Sequence, residues 1–143
     1  LIRENNEIGG NVRVGSFSEI AFSTKIGNDV SFHSDCKVYE NTVIEDGAKF
    51  NPGVYILNTK YPYTPGEKPK IENVLVRKNA RVGARVTLMP GIELGEWCLI
   101  GAGSLVTKNI PSYKIAFGRP AEVKKDIREL KDKDGNLIYN IDL

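Results

Sequence analysis

Apolar residues return at every sixth position in two runs along this chain. The first is Ile8, Val14, Ile20, Ile26, Phe32, Val38, Ile44, Phe50 and Ile56; the second is Val76, Val82, Leu88, Leu94, Ile100 and Val106. Two residues ahead of these stand small or β-branched residues, among them Ser18, Thr24, Cys36, Ala48, Ala80 and Cys98. That is what a cramped interior corner requires. A unit of six, one short strand plus one turn, predicts a parallel β-helix, in which single units bury nothing and stacked coils share one core. Glycine follows the apolar position at Gly9, Gly15, Gly27, Gly83, Gly95 and Gly101, where a turn with unusual backbone angles is expected.

Three units close a triangular coil of 18 residues, so residues 18 apart lie above one another at about the 4.8 Å strand spacing. Residues 6–59 then make about three coils and 74–109 two more. From Ile56 to Val76 the phase slips by a number that is not a multiple of six, and residues 58–73 are rich in proline and polar side chains. They read as a loop extruded from the prism, and loops of this length are often functional. The expected architecture is all-β, one domain over 1–143 with about five coils, one loop and a C-terminal part over 110–143. In that last part Tyr113–Phe117 reads as a strand. Residues 121–131, with Pro120 at a helix start and apolar residues at 123, 127 and 130, read as a helix capping the open end. Asp134-Gly135 reads as a turn leading into a short strand.

Composition adds exclusions. No apolar run is long enough to span a bilayer and no signal-like start is present, so a cytoplasmic location is expected; the chain opens on Leu1 rather than Met, leaving room for residues ahead of it. Cys36 and Cys98 both fall on the small inward position, where a thiol acts as a small hydrophobe. Residues 1–59 carry 5 basic and 8 acidic side chains and residues 60–143 carry 15 and 10. A basic second half suits a polyphosphate ligand and suits a solvated face equally. No basic run with interleaved aromatics marks a nucleic-acid surface. One histidine is too few for a three-histidine metal site of the kind the γ-class carbonic anhydrases need, and no metal is expected.

The stretch Ile100-Gly-Ala-Gly-Ser-Leu-Val-Thr-Lys-Asn-Ile-Pro through Gly118-Arg-Pro-Ala-Glu-Val resembles the C-terminal signature of the left-handed β-helix acyltransferases of the hexapeptide-repeat superfamily. Val38-Tyr-Glu-Asn-Thr-Val-Ile-Glu-Asp-Gly, followed by Asn58, resembles the subgroup that N-acetylates 3-amino sugars attached to a nucleotide. The resemblance implies the left hand of the coil, which the period alone does not. It implies a homotrimer with acetyl-coenzyme A bound between neighbouring prisms and a nucleotide sugar as acceptor. Carried over residue by residue, it gives Asn58 and Glu40 as the amine-handling pair. Gly83, Ala84, Gly101, Ala102 and Gly103 would form the bed for the pantetheine arm, and Lys108 and Arg119 would hold the phosphates. Tyr39, Lys60 and Tyr61 would face the acceptor; as loop residues, Lys60, Tyr61, Tyr63 and Lys68 could close over the sugar nucleotide or reach the adjacent subunit. Arg119 stands where relatives commonly carry Asn, and Arg13–Lys25 lacks the histidine and tryptophan pattern of the subgroup.

Stacking arithmetic places Glu40 and Asn58 one coil apart on one edge of the prism, with Phe22 below and Pro90 above. His33, the sole histidine, falls in the column of Gly15 and Asn51 on a different face. As a base it would suit transfer to a hydroxyl, an alternative the sequence leaves open. A third alternative is a β-helical scaffold without catalysis.

Overall fold

The computed structural model describes residues 1–141. Fifteen two-residue strands carry the fifteen apolar positions, each as the second residue of its strand. They form three parallel walls. The first runs Glu7–Ile8, Lys25–Ile26, Val43–Ile44, Leu75–Val76 and Glu93–Leu94; the second begins at Arg13–Val14 and climbs through Leu99–Ile100; the third begins at Glu19–Ile20 and climbs through Leu105–Val106. Register advances by 18 residues per coil, as in Lys25 against Val43. Across the loop it advances by 32, as in Val43 against Leu75. The prism therefore continues in phase and the loop is an insertion of 14 residues. A bridge from Ile2 to Ile20 and another from Leu94 to Ile110 extend the coil at both ends, giving about six turns where five were expected. The arrangement is consistent with the left-handed coil that the family resemblance implies. No helix among the described residues is long and apolar enough to cross a membrane.

One cluster of inward side chains runs the length of the axis. Ile56, Leu88 and Ile100 are fully buried, and Phe32 stacks on Phe50 one coil above, rings 4.9 Å apart and 11° from parallel. The corner positions Ser18, Thr24, Cys36, Thr42, Ala48, Cys98 and Ser104 are buried too, as their size required. At the first coil the packing thins, and Ile8 is 39% exposed.

The glycines that follow the apolar positions have a different cause from the expected one. None of the six has a positive φ. A Cβ on Gly83 would lie 2.7 Å from the Ala102 backbone nitrogen of the next coil, and one on Gly15 2.6 Å from the His33 carbonyl carbon. Close coil-to-coil approach, not turn conformation, demands glycine there. The left-handed backbone falls two residues later, at Asn11, Phe17, Asp29, Arg85, Trp97 and Gly103, and at the same place in corners that lack such a glycine, as at Asp35 and Gly53. Asn, Asp and Gly accept that region readily and the others at a cost.

The C-terminal helix is absent. Ala121–Asp126 is a strand, antiparallel to Lys114–Gly118, which itself adds to the top of the second wall beside Leu99–Ile100. An unpaired wall edge offers a row of backbone donors and acceptors, and this hairpin takes it, overriding the helical spacing of Val123, Ile127 and Leu130. Only Ile127–Glu129 turns, as a single 3-10 turn capped by the Asp126 side chain. The tail packs on the outer face of the second wall, where Trp97, Ile115, Ile127 and Ile141 form a second small core. Gly135 makes the expected turn (φ +85°), but the strand after it reduces to one bridge, Lys131 to Leu137.

Candidate functional site

Two edges of the prism carry the candidate residues. The loop edge, between the third and first walls, stacks Phe22, Glu40, Asn58, Pro90 and Lys108. The second edge, between the second and third walls, carries His33, Gly83, Ala84, Gly101, Ala102 and Gly103. Both follow from the register.

On the loop edge Asn58 is 93% buried and its Nδ2 donates to Glu40 Oε2 at 2.9 Å. The stacking arithmetic placed this pair correctly. The chain leaves the prism at Asn58 and returns at Glu72, whose backbone N–H donates to the Asn58 carbonyl at 2.9 Å. Gly91 N–H in turn donates to the Glu72 carbonyl, so Asn58 and Glu72 share the corner between Glu40 and Pro90. At other corners the carbonyl below accepts a backbone N–H from the coil above, as Phe22 does from Asn41 at 3.4 Å. Here the Asn58 amide takes that place, reaching the Glu40 carbonyl at 3.4 Å. Glu72 was missed in the sequence, although counting back 18 residues from Pro90 finds it.

A cleft of about 320 Å³ opens beside the pair, lined by Tyr39, Leu57, Asn58, Thr59, Lys60 and Pro62. Tyr39 and Lys60 share the lining of this cleft with Asn58. Tyr61 does not; it lines an adjoining cleft of about 470 Å³ inside the loop, with Tyr63, Lys68 and Glu72. The Lys60 ammonium lies over the Tyr61 ring at 5.3 Å, and Lys70 pairs with Glu72 at 3.3 Å.

His33 is exposed and stands between Gly15 and Asn51, in the column that continues to Gly83 and Gly101. Its Nδ1 accepts the Ser34 backbone N–H at 2.9 Å. That engages the one lone pair of the neutral ring and leaves the proton on Nε2. As a base in this placement it would have to give up the Ser34 contact.

Higher on the second edge, Arg119 Nη1 donates to the Gly103 carbonyl at 3.1 Å. A Cβ on Gly103 would meet nothing within 4 Å, whereas one on Gly101 would strike Phe117 Cβ at 2.7 Å. Gly83 and Gly101 are therefore fixed by packing, and Ala84, Ala102 and Gly103 present the open surface. An extended thioester chain with an anionic end fits it: small side chains, accessible backbone and a guanidinium at the top. Lys108 is not part of this group. It stacks above Pro90 on the loop edge, so with Gly103 and Arg119 it shares a ligand only across an interface between copies. Among the described residues no three His, Cys, Asp or Glu side chains stand together as a metal site.

Burial pushes the Cys36 thiol up and the Cys98 thiol up to about 12; both are free and enclosed.

Residues 23–58 and 73–108 match the family described as bacterial transferase hexapeptide (six repeats), and the break between them falls on the loop. A galactoside O-acetyltransferase of Lactococcus lactis subsp. lactis (strain IL1403) is 37% identical over 98 residues, 66% of this chain and 47% of that protein. A dTDP-3-amino-3,6-dideoxy-alpha-D-galactopyranose 3-N-acetyltransferase of Aneurinibacillus thermoaerophilus is 44% identical over 50 residues, 35% of this chain and 26% of that protein. This chain thus spans less than half of either relative. A mutant GDP-perosamine N-acetyl transferase of Caulobacter crescentus, solved with CoA and GDP-perosamine, shares the fold with a TM-score of 0.75 at 20% identity, over 88% of this chain and 53% of that one.

Proposed function

The chain belongs to the bacterial transferase hexapeptide family, and from that premise we propose that it moves an acetyl group from acetyl-coenzyme A to the amino group of a nucleotide-linked sugar. The observation that carries this reading is the Asn58–Glu40 pair at the root of the loop, with Asn58 in the lining of a cleft. Acetyl-coenzyme A supplies the acetyl group as a thioester. The chain has to aim a neutral amine and take away its proton. Asn58 is no base, since an amide nitrogen has no basic lone pair. With Nδ2 committed to Glu40, its Oδ1 is left to accept an amine N–H and fix the direction of attack. Glu40 keeps one carboxylate oxygen free of Asn58, which attracts the ammonium form and takes its proton to free the amine lone pair; as the new C–N bond forms the thioester C–S bond breaks, and the second proton lost from nitrogen goes to the departing thiolate. Tyr39 and Lys60 line the same cleft and bind the acceptor, with Tyr61, Tyr63 and Lys68 closing over it.

The third wall separates this pair from the second edge. The coenzyme on the second edge of one copy therefore reaches the pair on the loop edge of another, and a homotrimer supplies that meeting. Ala84, Ala102 and Gly103 make its bed, with Arg119, and with Lys108 of the neighbouring copy, at the phosphates.

A second reading, acetylation of a hydroxyl with His33 as base, draws on the position of His33 in the column of Gly83 and Gly101, beside that bed. The likeness to a galactoside O-acetyltransferase is in its favour; the engaged Nδ1 is against it. Turnover of a panel of amino-sugar nucleotides and of hydroxyl sugars separates the two. Native protein should acetylate an amine, Asn58→Ala and Glu40→Ala should lose about a hundredfold in kcat/KM, and His33→Ala should keep most of it. Turnover lost in His33→Ala alone would transfer the reading to the hydroxyl. Native protein that binds no coenzyme A would make the chain a scaffold.

A further inference from the structure

The third edge of the prism, between the first and second walls, has no part in the acetyl-transfer reading. A cleft of about 480 Å³ runs along it, lined by Trp97 and by six charged residues: Asp29, Asp46, Lys49, Lys78, Arg81 and Glu96. The charges are not mixed evenly. Along the corner Asp46, Lys78 and Glu96 stack one coil apart, with Asn79 N–H donating to the Asp46 carbonyl at 2.9 Å and Trp97 N–H to the Lys78 carbonyl at 3.0 Å. Lys78 therefore has an acid on the coil below and another on the coil above. On the outer face of the second wall Arg81 stands directly over Lys49, with Ser31 beneath the pair and Leu99 above it. No acid shares that column.

Like charges opposite one another in a sheet repel, and the first wall answers its own cation: Arg77 meets Glu93 at 2.5 Å and Glu45 at 3.7 Å. Among the described residues neither Lys49 nor Arg81 makes an ion pair. Lys49 donates to the Asp29 backbone carbonyl, and burial, then the Arg81 charge, holds its ammonium below the usual range. The Arg81 Nε is enclosed and donates to nothing among the described residues, a condition rare for a buried donor. Its guanidinium lies over the Trp97 and Tyr139 rings at 5.1 and 5.3 Å, contacts that hold it in place without neutralising it. A carboxylate suits this pair, a guanidinium fork with an ammonium one level below. A phosphate suits the cleft less, because three acids line it too. Asp29 and Asp46 each give one oxygen to the corner, accepting Asn11 Nδ2 and Asn28 N–H, both at 2.7 Å, and each keeps its other oxygen. We propose that the third edge binds a small zwitterion, its carboxylate on Arg81 and Lys49 and its ammonium on the acids of the corner.

Trp97 is the sole tryptophan, so its emission reports on this cleft alone. Titration of the native protein with L-alanine, 4-aminobutyrate, acetate and inorganic phosphate tests the site. At least one of the two zwitterions should bind saturably, and about tenfold or more tighter than acetate or phosphate. Lys49→Gln should weaken that ligand by about ten- to a hundredfold, and Lys49→Arg should restore most of the affinity. Because Lys49→Gln removes a charge that Arg81 repels, it should melt at or above the native temperature, which separates lost binding from lost folding. Glu96→Gln should weaken the zwitterion and leave acetate unchanged. Acetate or phosphate binding as tightly as both zwitterions, full affinity in Lys49→Gln, or an emission that no probe alters would each overturn the proposal.

Discussion

Gly83→Ala and Gly103→Ala should fail in opposite ways, because the two glycines exist for different reasons. At Gly83 the new methyl would sit 2.7 Å from Ala102 N and 2.8 Å from Ile100 O. Both are backbone atoms of the next coil and neither can rotate aside. Restoring ordinary contact near 3.4 Å means opening the coils by about 0.7 Å. That would stretch the Gly83 N–H to Ile100 carbonyl bond, now 2.8 Å, past hydrogen-bonding range. One backbone bond is worth about 1 kcal/mol net, and overpacking of this kind adds about 1–3 kcal/mol. The expected loss is about 2–4 kcal/mol, near 4–16 °C in Tm for a domain of this size. At Gly103 the methyl meets nothing and only the left-handed backbone (φ +73°) is penalised, about 1–2 kcal/mol. The methyl does intrude on the surface offered to the coenzyme. Thermal melts paired with coenzyme A calorimetry should therefore show Gly83→Ala as the less stable variant and Gly103→Ala as the weaker binder. Equal melting of the two, or the reverse order, would refute the assignment of Gly83 to coil packing.

Two further outcomes follow from buried groups. With Cys98 pushed up to about 12 and Cys36 raised as well, the native thiols should be inert to a disulfide reagent at pH 8 and both should react in denaturant; fast labelling of the folded protein would show the coils to be open. The sign of the linkage is that of a raised thiol: the stabilisation is present below the unfolded value near 8.5 and fades as pH rises toward the folded one. Arg81, whose guanidinium lies over Trp97 at 5.1 Å and Tyr139 at 5.3 Å, fastens the tail to the second wall. Arg81→Ala should cost about 1–2 kcal/mol and speed tryptic cleavage at Lys131 and Lys133, read by intact mass, and an unchanged cleavage rate would show that the tail is held by its apolar contacts alone.

The repeat was legible because a hexapeptide coil ties sequence distance to space. Every sixth side chain points to the axis, and 18 residues return to the same edge, so Glu40 and Asn58 could be paired before any coordinates. Where that tie ends, the sequence was ambiguous. Val123, Ile127 and Leu130 carry a helical spacing, and only the unpaired edge at Lys114–Gly118 decided for a strand. Glycine identity was visible but its reason was not: whether Gly83 serves a turn or a close approach depends on the coil above it. Lys108 belongs in sequence with the Gly101–Gly103 stretch, yet the corner at Val106 turns it onto the other edge. The prism, its phase and the insertion at Asn58 can be read from the chain alone, since these are local and periodic. The place of Glu72 at the Asn58 corner, of Lys108 on the loop edge and of the tail on the second wall emerges only in three dimensions, because each depends on which backbone and side-chain groups were left unpartnered once the coils had stacked.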